Sequence, residues 1–309
     1  MIQTQTLQAV CQALQNQEAV DFVRTSIKAG YFEFFSKSEE VAAMVDNSFA
    51  RLAKSQHHSI DPLELLLVTS ALLEHTFRKQ DSDFWFNRLY HQYKTEIKPE
   101  TDFQQLKELI KGESVLDYGC GSGYLAARLA KGGFRVFTTD VLDYRYEEAK
   151  DLPFVRMASP ADLAFPDDSI DTAVVQAVLH HIDEEDLSLV IQRLRRVAKY
   201  VLIKEDTYDL PDDLQGLADR KANQPLLRAF VGLPREAQFQ TLLLIDFFAN
   251  AIAQGIPEMN MPFRFKTVTE WQQVLQSNGL KVSKTLVAGF EPGRIHKSCH
   301  VWFVCERIK

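Results

Sequence analysis

The sequence predicts an α/β protein: a doubly wound, mostly parallel seven-stranded sheet, an all-helical domain before it, and a helical insertion after the fifth strand. Three observations carry this. A short apolar strand, Ser114–Tyr118, runs into Gly119-Cys120-Gly121-Ser122-Gly123 and then into a helical pattern from Tyr124 to Lys131, stopped by Gly132-Gly133. Strand-length apolar runs then alternate with helical ones as far as Lys204, as a doubly wound parallel sheet requires. Residues 1 to about 105, in contrast, read as helical.

In the amino-terminal region Ser36-Lys37-Ser38-Glu39 is a capping-box pattern that opens a helix carrying Val41, Met44 and Val45. Asp61-Pro62-Leu63-Glu64 is a stronger start, with a capping Asp and proline at the first helical position. The helix from Leu63 to Phe77 is apolar nearly all round and is expected at the centre of this domain. The aromatics Phe84, Trp85, Phe86, Tyr90 and Tyr93 either pack this domain or line an acceptor pocket. Pro99 to Thr101 reads as a linker before a helix from Asp102 to Ile110, dividing the chain into residues 1–103 and 104–309.

In the second part Arg135–Thr139 is the second strand, closed by Asp140. Phe154–Met157 is the third and Thr172–Gln176 the fourth. Asp186 to Ala198 is an amphipathic helix whose Arg195 and Arg196, with Lys199, suit its dipole. Tyr200–Lys204 is the fifth strand, and Glu205-Asp206 closes it. Residues 207 to about 265 interrupt the core as a mostly helical, proline-punctuated insertion, expected to act as a lid over the acceptor between the sheet rim and the amino-terminal helices. Within it Asp246 and Asn250 are four apart on an apolar helix, so they either bond each other or face the site. Thr269-Glu270-Trp271-Gln272 starts a last helix and Asn278-Gly279 stops it. Lys281–Ala288 and Cys299–Glu306 read as two final strands, an antiparallel pair.

The glycine loop decides the chemistry. Glycines let the backbone approach a ligand closely. A dinucleotide loop sets a pyrophosphate on the helix amino terminus, and Asp117, just before the loop, would repel it. The spacing is also G-x-G-x-G, with Tyr124 where the dinucleotide pattern needs glycine. A ligand with a nucleoside at one end and an ammonium and a sulfonium at the other fits better; the alternative is a tight turn with no ligand. Asp140 lies about twenty residues past the loop, where a carboxylate takes the hydroxyls of a ribose, or it caps the next element.

From Val115 to Gly123 these residues resemble motif I of the class I S-adenosylmethionine-dependent methyltransferases, and the resemblance runs from about Gln104 to the end of the chain. It implies a methyltransferase fold and S-adenosyl-L-methionine as cofactor. It implies a cofactor site of Asp117, Gly119, Cys120, Gly121, Gly123, Asp140, Val141, Asp162, Leu163 and Gln176, with Cys120 contributing backbone. Asp162 would accept from the adenine amino group, and the following amide, of Leu163, would meet the ring. Leu163-Ala164-Phe165-Pro166-Asp167-Asp168-Ser169-Ile170-Asp171 resembles the lead-in of the branch that methylates small molecules or lipids, with Ala164 and Ile170 as departures. Gln176-Ala177-Val178-Leu179 stands where methylases of exocyclic amines in nucleic acids carry a paired-proline signature.

Gln176 to His181 follows the fourth strand and is expected to border the transferred methyl group. The catalytic candidates are His180 and His181, because histidine titrates near neutral pH, with Glu205 and Asp206 next as base or as binders of a cationic acceptor; His296 and His300 are weaker. Either histidine could instead bond backbone at the strand end. No C-x-x-C spacing points to a metal among Cys11, Cys120, Cys299 and Cys305, and this usage suits a reducing cytoplasm. A net charge of −7 argues against a phosphate-backbone partner. No signal-peptide pattern or membrane-length apolar run is present, and the oligomeric state is not legible. The rival readings are an RNA or protein methyltransferase and a non-catalytic module that binds the same cofactor.

Overall fold

The computed structural model describes residues 3–34, 37–54, 85–215, 224–254 and 259–308. The proposed cap at Ser36, the helix start at Asp61-Pro62, the apolar helix Leu63–Phe77 and Phe84 lie outside them. The chain divides into two compact units that do not follow chain order. One holds residues 1–93, 207–265 and 288–300, and the other holds 94–206, 266–287 and 301–309. The expected boundary at 103/104 falls within a helix, Lys98–Leu106, and the stretch read as a linker lies in its first turn, with Pro99 as its second residue. The segment read as a lid shares its unit with the amino-terminal helices.

The sheet is the frame of the second unit. Its strands are β1 Ser114–Tyr118, β2 Arg135–Asp140, β3 Phe154–Arg156, β4 Ile170–Gln176, β5 Ala198–Tyr208, β6 Lys266–Thr267, β7 Leu280–Phe290 and β8 Cys299–Arg307. Their order is β3-β2-β1-β4-β5-β8-β7, with β6 pairing β5. Among the described residues the sheet has eight strands, the addition being the two-residue β6. The pairings of β1 with β2 and β4, β2 with β3, and β4 with β5 are all parallel. Val115, Leu116, Ala173, Val174, Val175, Val201, Leu202 and Ile203 are fully buried. That explains why these strands read as continuous apolar runs, not as alternating ones.

Chain order reverses between β1 and β4, so their carboxyl ends open on the crevice where open α/β sheets hold ligands. The amino ends of the same strands are pinned by Asp171. Its Oδ2 accepts from the amides of Glu113 and Ser114 at 3.1 Å and from Ser114 Oγ at 2.9 Å, and its Oδ1 meets Lys199 Nζ at 2.8 Å. The helix Glu184–Val197 carries three acidic residues in its first turn and Arg195 and Arg196 in its last, matching its dipole. The last helix runs Val268–Ser277 and is capped by Thr267, not Thr269. Thr267 Oγ1 accepts from the Glu270 amide, and Glu270 Oε2 accepts from the Thr267 amide in return. The box needs the acid three positions after the cap, where Glu270 stands relative to Thr267.

The first unit is helical. The helix Gln17–Phe32, capped by Asn16, packs on Ser38–Lys54 and Arg235–Phe247. Phe22, Phe230 and Phe290 form a ring cluster with centroids 5.3–5.6 Å apart. Gly30 permits a close approach: a Cβ there would lie 1.7 Å from the Ile295 carbonyl oxygen. Asn250 Nδ2 donates to Asp246 Oδ1 at 2.7 Å, and Gln254 Nε2 donates to Asn250 Oδ1 at 2.8 Å. The polar residues of this apolar stretch therefore bond each other along one face. No helix among the described residues is long and apolar enough to cross a membrane.

Candidate functional site

The loop after β1 is held by its neighbour. The amides of Gly119 and Cys120 both donate to the Thr139 carbonyl of β2, at 2.9 and 3.1 Å. Gly119, Gly121 and Gly123 all have positive φ, at 69°, 54° and 76°. At Gly119 a side chain has no room: its Cβ would sit 2.6 Å from Val178 Cγ2, on the loop after β4. Gly123 is the amino-terminal flank of the helix Tyr124–Lys131 and offers no side-chain cap. The first-turn amides of that helix thus lack a capping side chain.

Asp117, in β1, is 4% exposed, and its Oδ2 has no hydrogen-bond partner among the described residues. Burial pushes its carboxyl up to about 7, opposed by the charge of Lys98 and reinforced by Asp140 and Asp102. A buried carboxylate oxygen without a partner costs stability, and a cationic group beside it would relieve that cost. Such a carboxylate oxygen is an acceptor suited to the ammonium end of S-adenosylmethionine. The loop of glycines beside it leaves room for the nucleoside. The residues present fit the cofactor.

Asp140 ends β2. Its Oδ2 accepts from the Gly121 amide at 2.8 Å and its Oδ1 from the Leu142 amide at 3.1 Å. Burial raises its pKa, and these amides oppose the rise. The next helical turn, Glu147–Ala149, has no side-chain cap, so Asp140 serves the glycine loop and not that turn. Val141 follows Asp140 at the end of the strand and is half-buried. Asp162 is exposed and accepts from the Ala158 amide at 3.2 Å, while the Leu163 amide donates to the Ala161 carbonyl at 3.0 Å. Tyr118 OH, bonded to the Pro160 carbonyl at 2.5 Å, ties this loop to the end of β1. The Cys120 thiol is buried and its pKa is raised by burial, so it is no thiolate, in keeping with a backbone role. Gln176, the last residue of β4, keeps a buried Nε2 without a partner among the described residues.

The chain turns sharply after Gln176. Ala177 has φ 51° and donates to the Lys204 carbonyl at 2.8 Å, and Leu179–His181 form a single 3-10 turn. Glu205 organises it. Its Oε1 accepts from the Val178 and Leu179 amides at 3.0 and 2.7 Å, and its Oε2 lies 2.6 Å from His180 Nδ1. Both side chains are fully buried. His181 is half-buried, with its ring centroid 4.2 Å from that of His180. Asp206 is buried on the next position of β5. His296 and His300 lie in the other unit, where His296 Nε2 meets Tyr31 OH at 2.9 Å and His300 Nδ1 meets Glu291 at 2.8 Å.

Two residues here escaped the sequence reading. Lys98, on the helix before β1, supplies the positive charge felt by Asp117. Tyr144 lies against Gly121. Neither sits in a motif; only the packing of the chain brings them to the loop.

Residues 116–200 match the family model described as a methyltransferase domain. No curated protein matches the chain. Among solved structures, the chain is similar to a putative methyltransferase from an antibiotic biosynthesis pathway of Anabaena variabilis ATCC 29413. That match has 18% identity, covers 62% of this chain and 66% of that one, and has a TM-score of 0.40. It is also similar to the 1,6-didemethyltoxoflavin-N1-methyltransferase of Burkholderia thailandensis, solved with 1,6-didemethyltoxoflavin and S-adenosylhomocysteine, at 14% identity over 79% and 89% of the two chains and a TM-score of 0.46.

Proposed function

We propose that this chain, an S-adenosylmethionine-dependent methyltransferase by its residues 116–200, delivers the methyl group to an oxygen, nitrogen or carbon nucleophile of a small-molecule acceptor. One observation carries the cofactor side of this reading: the buried, unpartnered carboxylate oxygen of Asp117 beside three glycines of positive φ. On the acceptor side, the support is the net charge of −7 and the Gln176-Ala177-Val178-Leu179 sequence at the end of β4.

The bound cofactor supplies an activated methyl group on a sulfonium. The work left to the protein is alignment, which is worth roughly 7–11 kcal/mol when the reacting atoms are well placed. Asp117 would hold the ammonium end and Asp140 the ribose, with Val141, Asp162 and Leu163 at the adenine and Gln176 near the reacting centre. Glu205 has its lone pairs committed to two amides and to His180, so its role is to hold the turn after β4. His181, half-buried on the same turn, is the base we assign for an acceptor that must lose a proton, an effect worth about 10²–10⁴-fold. Asp206 would assist with a cationic acceptor. The four cysteines are free thiols, and on that ground we place the protein in the cytoplasm.

Calorimetric titration with S-adenosylmethionine, S-adenosylhomocysteine and NAD tests the cofactor side, on the native chain and on Asp140→Ala. Both adenosyl ligands should bind, NAD should not, and Asp140→Ala should weaken binding by a kcal/mol or more, as expected for lost charge-assisted bonds. Failure of both adenosyl ligands, with and without candidate acceptors, would overturn the reading. Turnover on small molecules against RNA and protein then decides the acceptor; binding without turnover would favour a cofactor-binding module.

A further inference from the structure

The segment after β2 is clamped onto the glycine loop. The Tyr146 amide donates to the Ser122 carbonyl at 3.0 Å, and the Tyr146 ring stacks on Tyr124 with centroids 4.5 Å apart. A Cβ on Gly123 would meet the Ala149 methyl at 2.6 Å and Arg145 Cγ at 3.3 Å. Arg145 is itself fixed. It donates to the Ala149 and Leu152 carbonyls at 3.1 Å, pairs with Asp143, and lies over the Phe154 ring at 4.1 Å. Residues 143–149 therefore form a rigid flap on the loop, and the small size of Gly121 and Gly123 is what admits it.

Tyr144 is the residue this flap delivers to the crevice. Its hydroxyl oxygen lies 3.0 Å from the position of a Cβ on Gly121. The Gly121 amide is the one that Asp140 holds. The Tyr144 hydroxyl makes no hydrogen bond to any described residue, although burial and the neighbouring Asp140 charge both oppose its ionisation and keep it a donor. A half-buried phenol whose O–H meets no described residue is free to donate to a ligand.

We propose that Tyr144 is a cofactor-binding residue, its hydroxyl donating to the ribose that Asp140 also grips. The pair would supply a donor and an acceptor to the two sugar hydroxyls. This rests on the cofactor reading above, and it adds a contact outside the glycine loop.

The test is binding of S-adenosylhomocysteine and 5′-methylthioadenosine, which lacks the amino-acid end, to the native chain, Tyr144→Phe and Tyr146→Phe. Tyr144→Phe keeps the ring and removes only the hydroxyl, so its thermal midpoint should stay near that of the native chain. It should weaken both ligands about five-fold, the size of one hydrogen bond between neutral groups, and Tyr146→Phe should leave both unchanged. Equal affinity of Tyr144→Phe and the native chain overturns the proposal while the cofactor reading stands. Loss for S-adenosylhomocysteine alone moves the hydroxyl to the amino-acid end and overturns the ribose assignment. No binding of either ligand to the native chain overturns the cofactor reading and this proposal together.

Discussion

Glu205 Oε2 lies 2.6 Å from His180 Nδ1, and both side chains are fully buried. The same carboxylate caps the Val178 and Leu179 amides, so one side chain on β5 sets the shape of the turn after β4. Removing it leaves buried donors unsatisfied, each worth about 1–3 kcal/mol. Glu205→Ala should lower unfolding stability by about 3–5 kcal/mol in urea titration. Glu205→Gln, which can still accept from an amide, should cost less. Equal losses would mean that the carboxylate charge, and not the shape of the side chain, holds the turn.

Asp117 makes stability depend on pH in a direction opposite to that of a salt-bridged acid. Its folded pKa of about 7 exceeds the ordinary value of 3.8, so the folded chain binds the extra proton. The ligand-free protein should therefore be most stable, as far as this group is concerned, below about pH 4, and should lose on the order of 3–4 kcal/mol as pH rises to about 7. Asp117→Asn should abolish that slope and remove affinity for S-adenosylhomocysteine. Binding at pH 6 should release a proton, seen as a dependence of the calorimetric heat on buffer ionisation enthalpy.

Gly119 and Gly133 separate two costs. Both have positive φ, but a Cβ on Gly119 meets Val178 at 2.6 Å while one on Gly133 meets nothing within 4 Å. Gly133→Ala should cost about 1–2 kcal/mol of stability through backbone strain alone. Gly119→Ala should cost more and should also weaken adenosyl ligands, because relieving the contact displaces the loop. Unchanged ligand affinity in Gly119→Ala would show that the loop absorbs the methyl without moving.

At the opposite end of the strands, Asp171 is held well below the usual carboxylate range by Lys199 first, then by Ser114 and Glu113. An acid with a depressed pKa contributes stability above its unfolded value and loses it as pH falls. Asp171→Asn should destabilise the protein by about 1–3 kcal/mol at pH 7, and the gap from the native chain should close as pH drops below about 4. Since Asp171 lies at the amino ends of β1 and β4, affinity for adenosyl ligands should survive the change.

By itself the sequence determined the sheet and its ligand crevice. A run such as Ser114–Tyr118 is apolar because it is buried on both faces, and Gly119, Gly121 and Gly123 mark positions that only a small residue with left-handed backbone can fill. These are local demands, so they are written in consecutive residues. The tertiary structure decided what depends on distant groups meeting. It grouped 207–265 and 288–300 with the amino-terminal helices, because hydrophobic burial rewards any complementary surface and carries no record of chain order. It paired Asp246 with Asn250, two residues whose spacing allowed either a mutual bond or a site. It committed Glu205 to the turn after β4, although on sequence Glu205 read as a possible base. It also delivered Tyr144 to the glycine loop, where no motif records it, because the flap that carries it is fixed by contacts with Ser122, Gly123 and Tyr124 and not by its own pattern.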